Sequence, residues 1–102
     1  MTRKQVRDEL WALRLYYRMA RIFDPKETLT LPDWVAERME QVEEIVTKTR
    51  STLRTVYELR YRQGKTLREI AEIMEMTEGY LKKLHRELID HIRYWLTEKD
   101  TG

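Results

Sequence analysis

Gly79, Tyr80, Lys82, Lys83 and Arg86 follow Thr77 within one short stretch of the chain, and their side chains suit the recognition of a polyanion. A lysine ammonium pairs with phosphate or with guanine acceptors, and an arginine guanidinium does so through two parallel hydrogen bonds. Tyrosine offers a hydroxyl to phosphate or a ring to a thymine methyl, and a glycine lets the backbone come close to a groove. Glu78 beside them reads as an acid complementing the positive end of a helix, in preference to an acceptor for cytosine N4. Lys65, Thr66 and Arg68 form a second group. They stand where the unpaired N–H groups of a helix start and two positive side chains would suit a phosphate.

Other chemistries find no apparatus in the sequence. Cysteine is absent, which excludes disulfides and thiolate nucleophiles or metal ligands. His85 and His91, the only imidazoles, are six residues apart, a spacing that does not bring them together on a helix for metal binding. Ser51 is the only serine and has no histidine near it in sequence, and no glycine-rich phosphate loop is present. Glu43 and Glu44 read as helix surface. The expectation is a protein without an enzyme's machinery, cofactor or metal. Trp11, Trp34 and Trp95 fall on apolar stripes, so they are expected in a core or an interface rather than as stacking platforms.

The elements that must hold these residues are helices. Among 102 residues there are only three glycines and two prolines, and 37% of the residues are charged. Val6, Leu10, Leu13, Tyr17 and Ala20 alternate at steps of four and three, which predicts a helix over residues 3–23 ended by Asp24 and Pro25. Trp11, Leu15, Tyr16, Met19, Ile22 and Phe23 widen that stripe towards a second surface. Pro32 and Asp33 mark a new start, and Val35, Met39, Val42, Val46, Thr49, Leu53 and Val56 continue the alternation. Residues 33–63 could be one helix, or two with a break near Ser51, where hydroxyl and β-branched residues compete with helical bonding. Gly64 closes the segment. Thr66 and Glu69 make a capping box, and Thr77 a second N-cap. From Thr77, Leu81, Leu84, Leu88, Ile92 and Trp95 form one stripe, with residues 98–102 expected to fray.

Two helices meeting at a short turn, with small Ala71 at their crossing and Ile70, Met74, Met76, Leu81 and Leu84 inside, satisfy the helix-turn-helix pattern. The run Val56-Tyr-Glu-Leu-Arg-Tyr61, then Gly64-Lys-Thr66 and Glu69-Ile-Ala71, resembles region 4 of bacterial sigma-70-type factors and the small phage late-gene activators of the ArpU and RinA type. The likeness covers residues 53–88. It implies a sigma region 4-like, all-α fold, a phage or prophage origin, recognition through Thr77, Gly79, Tyr80, Lys82, Lys83 and Arg86, and bacterial RNA polymerase as a further partner. Two positions depart from the family: Glu75 stands where it usually has glycine or asparagine, and Gly79 where it often has a polar side chain.

The net charge of +2 is small, but its distribution is uneven. Residues 33–46 carry five acids against Arg38, whereas residues 54–68 carry Arg54, Arg60, Arg62, Lys65 and Arg68 against Glu58. The expectation is therefore a transcription regulator on double-stranded DNA, with helix 77–88 in the major groove. Residues 51–97 would be its DNA-binding domain, and residues 1–50 would mediate dimerisation through the Val6–Ala20 stripe. Apolar runs are too short to cross a bilayer and no signal peptide is visible, so the expected site is the cytoplasm of a bacterial host. Alternatives are a polymerase-binding accessory factor that does not itself touch DNA, and a small terminase-like packaging component.

Overall fold

A computed structural model describes residues 1–22 and 33–101. The architecture is all-α, as the periodicities require. Helix α1 spans Arg3–Ile22, α2 Asp33–Thr47, α3 Ser51–Tyr57, α4 Leu67–Ile73 and α5 Glu78–Thr101. Asp24, Pro25 and Pro32, assigned above to helix ends, lie outside the described residues.

Residues 33–63 form two helices. Lys48-Thr49-Arg50 interrupts them, with Arg50 extended at φ −65°, ψ 151°. The Thr47 hydroxyl donates back to the Glu43 carbonyl at 2.7 Å, the local competition that hydroxyl residues bring to a helix end. The apolar stripe nevertheless passes through the break: Val35, Val42, Val46, Thr49, Leu53 and Val56 are all buried. After Tyr57 the helix widens into a π turn, Glu58–Arg62, that the periodicity gave no hint of. Gly64 then takes φ +71°, and the Lys65 amide reaches back to the Leu59 carbonyl at 3.0 Å. That closing bond spans one residue more than the usual helix-ending one, as an inserted residue in the last turn demands.

A single apolar cluster joins all five helices. Leu81, Leu84, Leu88, Ile89, Ile92 and Leu96 of α5 meet Val6, Leu10 and Leu13 of α1, Val42 and Ile45 of α2, Val56 and Tyr57 of α3, and Ile70 and Ala71 of α4. The α5 row ends on Leu96 rather than Trp95, one turn beyond Ile92. The helix itself continues to Thr101. This packing bears on the face expected to pair with a second copy. Val6, Leu10 and Leu13 are 1–2% exposed inside the chain's own core, so the stripe is not available to a second copy, and residues 1–50 and 51–97 share that core.

Polar contacts fix the helices against one another. The Tyr17 hydroxyl donates to Glu43 at 2.7 Å and shares a 2.9 Å hydrogen bond with Tyr57, while Arg62 pairs with the same Glu43. Burial pushes the Tyr17 phenol up to about 12 and Tyr57 further upward, so both stay protonated. Tyr61 of the π turn meets His85 Nε2 at 2.5 Å within the core. At the surface Arg3 holds Asp90 through two hydrogen bonds, Arg50 pairs with Glu87, and Arg38 pairs with Glu9.

The link between α4 and α5 is a Schellman turn. Met76 N–H donates to the Ala71 carbonyl at 3.0 Å and Glu75 N–H to that of Glu72 at 3.2 Å. Glu75 therefore sits at φ +54°, the one positive-φ position among described residues occupied by a side chain other than glycine. Met76 packs against the core beside it.

Two predictions follow from this packing. Relieving the left-handed strain with Glu75→Gly stabilises the fold by about 1 kcal/mol, which raises the melting temperature by several degrees; an unchanged or lower value overturns this account of the turn. His85 supplies the second. Burial, with the nearby charges of Arg60 and Arg7, pushes its imidazole down to about 4 from 6.5. The unfolded chain thus takes up this proton first as acid is added. The stability from the neutral ring is fully present above about pH 6.5 and lost towards pH 4, by up to about 3 kcal/mol. Urea midpoints should fall across that window, and His85→Gln should remove the step.

Candidate nucleic-acid interface

The first turn of α5 is built by its own cap. Thr77 Oγ1 accepts from the Tyr80 amide at 3.2 Å, and Glu78 places an acid at the positive end of the helix. Because α5 buries Leu81, Leu84 and Leu88, the helical period turns Gly79, Lys83 and Arg86 directly away from the core. Lys82 lies on one flank of this face and Tyr80, 53% exposed, on the other. The expected reading residues thus share one solvent-facing surface.

Their partners differ in ways that matter for binding. Lys82 lies 3.6 Å from Glu78, an exposed pair of the kind worth about 0.3–0.5 kcal/mol and easily released to a stronger anion. Lys83 and Arg86 form no ion pair among the described residues, and the acids further along the outer side are taken: Glu87 by Arg50 and Asp90 by Arg3. The hydrogen bonds from Arg3 hold the Asp90 carboxyl below the usual range, with the charges of Arg93 and Arg86 adding to the effect.

Around α4 the capping box forms as expected. Glu69 N–H donates to Thr66 Oγ1 and Thr66 N–H to Glu69 Oε1, both at 3.1 Å. Those bonds hold the Glu69 carboxyl below its ordinary range. The Thr66 and Thr77 hydroxyls are thereby engaged in capping, while Arg68 is exposed and Lys65 half-buried. Lys65 also receives Arg60 Nη1 on its carbonyl at 2.9 Å.

The structure adds three points to the sequence reading. The basic run 54–68 is not one patch, because Arg62 turns to Glu43 and Arg60 stacks on Trp11 with its guanidinium 4.2 Å from the ring centroid. None of the tryptophans belongs to the buried core: Trp11, Trp34 and Trp95 are exposed by 36, 59 and 42%. Trp11 is covered instead by Arg14 and Arg60, and Trp95 lies edge-on to Tyr94 and His91. Sequence reasoning also missed Arg3 and Arg7 of α1. These lie beside Lys82 and Arg86 although they come from the opposite end of the chain. No spacing rule reaches that far.

Compared with models of protein families, with curated proteins and with solved structures, the chain matches none. Among the described residues no helix is long and apolar enough to cross a membrane.

Gly79 is the least expected member of the face. Its backbone is helical, and a Cβ built there meets nothing within 4 Å, so the fold has no need of glycine at this position. Gly79→Ala should therefore stabilise the protein by about 0.5–1 kcal/mol in chemical denaturation. A loss of stability would show a packing role that the structure lacks.

Proposed function

We propose that this protein is a sequence-specific DNA-binding transcription regulator that lays the N-terminal half of α5 in the major groove. The observation that carries this reading is the outward face of Gly79, Tyr80, Lys83 and Arg86, whose two cations form no ion pair among the described residues. Lys83 and Arg86 supply phosphate or guanine contacts, Tyr80 a phosphate or thymine-methyl contact, and the bare backbone at Gly79 close approach. Positive side chains at the start of α4, Lys65 and Arg68, fit the neighbouring strand's phosphates. The likeness to sigma region 4 and to small phage activators supports the same mode. With the α1 stripe buried, one chain is taken to read one short element.

A second reading concerns α2. Asp33, Trp34, Glu37 and Glu40 are all exposed on it, an acidic and aromatic surface that would repel a duplex and suits a protein partner. On the sigma-like reading that partner is RNA polymerase, with the DNA face left free.

A salt titration of duplex binding tests the main proposal. The unaltered chain should lose affinity steeply with salt, and Lys83→Ala with Arg86→Ala should reduce the slope of log K against log salt by roughly 1.8, about 0.9 per phosphate contact. Binding and slope left untouched by the double change would overturn the assigned face. Selection from a random duplex pool should return one uninterrupted block; an inverted repeat would instead report a dimer using another surface.

A further inference from the structure

Between the N-terminal half of α1 and the flank of α5 lies a groove of about 410 Å³, lined by Arg3, Arg7, Lys82, His85 and Arg86 with Leu67 of α4 among them. We propose that this groove holds a backbone phosphate of the bound duplex, making α1 part of the DNA interface and Arg7 a phosphate-contacting residue. The inference rests on the reading of α5 given above, and extends the footprint from two helices to three.

The charges carry it. No carboxylate lines the groove. Arg3 is held by Asp90 at 2.6 and 2.9 Å, and Lys82 by the weak exposed contact with Glu78. Asp8 lines the adjoining recess with Trp11 and Arg60, where Arg7, Leu67 and His85 of the groove form the shared wall, and makes no ion pair with Arg7. Arg7 and Arg86 form no ion pair among the described residues. Cations gathered within a Debye length of one another repel, and burying the neutral His85 ring beside them adds no compensating charge. Such a cluster destabilises the free protein and is relieved by an anion.

Position decides which anion. Arg86 belongs both to this groove and to the outward face of α5, and Lys82 precedes it by one helical turn on the same flank. A strand whose bases meet Gly79 and Lys83 must carry its phosphates along one flank of the helix. The flank towards α1 carries Lys82 and Arg86, with Arg7 across the groove and Glu78 the one acid beside Lys82, whereas the opposite flank holds Tyr80 and the Glu87–Arg50 pair. Leu67 brings the start of α4, with Lys65 and Arg68, to the same side. Guanidinium groups such as Arg7 suit phosphate through paired hydrogen bonds.

The test uses the full chain with a selected duplex and a random one, each titrated across salt. Arg7→Ala should lower the slope of log K against log salt by about 0.9 and weaken both duplexes by the same factor, because a phosphate contact carries no sequence information. Arg7→Lys should keep most of the slope, and Arg7→Gln should lose it while melting like the unaltered chain, which separates lost charge from lost folding. A slope unchanged in Arg7→Ala, while Lys83→Ala still reduces it, overturns the groove and leaves the α5 reading intact. Failure of the unaltered chain to bind either duplex overturns both.

Discussion

Everything in this molecule leans on the inward face of α5. Its apolar row from Leu81 to Leu96 is the surface that α1, α2, α3 and α4 all pack against, so the four helices share a single core through it. A helix with its inner side fixed along about four turns has no freedom to rotate. The outer residues are thereby assigned by period alone: once Leu81, Leu84 and Leu88 are inside, Gly79, Lys83 and Arg86 cannot be. Rigidity of the proposed reading face is a consequence of core packing, and does not come from contacts within the face.

The polar contacts have a different task. Exposed ion pairs such as Arg3–Asp90 and Arg50–Glu87 contribute little beside the apolar burial. What they set is register, since an apolar row tolerates sliding and a two-pronged guanidinium–carboxylate pair does not. The buried contacts act more strongly in the same sense. Tyr61 against His85 ties the π turn to α5, and the Tyr17–Glu43–Arg62–Tyr57 group ties α1 and α2 to α3. A buried hydroxyl left without its partner costs about 1–3 kcal/mol, so each of these groups penalises misplacement more than it rewards correct placement.

How far the sequence revealed this depends on the range of the interaction. Local chemistry was legible, since Thr66 and Thr77 cap helices as a hydroxyl three residues ahead of an amide can, whereas the left-handed turn at Glu75 was legible only through the resemblance, which puts glycine or asparagine there. Stripe membership was legible too, since burial follows period. Three kinds of feature were hidden. The π turn depends on the fit of Tyr57 and Tyr61 into a core made by other helices. The fate of each arginine depends on which acid or ring lies across the fold, as Arg62 and Arg60 show. Whether the α1 stripe faces its own chain or a copy of it cannot be read from the stripe, because both interfaces ask for the same residues.

Charge gives the last step. A net charge of +2 suggests little attraction to a polyanion, and pairing leaves that balance unchanged because each pair takes one acid and one base; what pairing alters is where the charges stand. Glu9, Glu43, Glu87 and Asp90 each hold an arginine from another helix. Those pairs are nearly neutral at a distance, while Asp33, Glu37 and Glu40 sit together, exposed, on α2. Lys83, Arg86 and Arg7 form no ion pair among the described residues, and screening over about 8 Å at physiological salt limits what carboxylates further away, such as those of α2, can offset. On the proposed reading the molecule is polarised: one side carries cations poised for phosphate, and another carries acids that keep that same polymer away from α2. Orientation on DNA would then be set by the fold's internal pairing as much as by the helix that reads it.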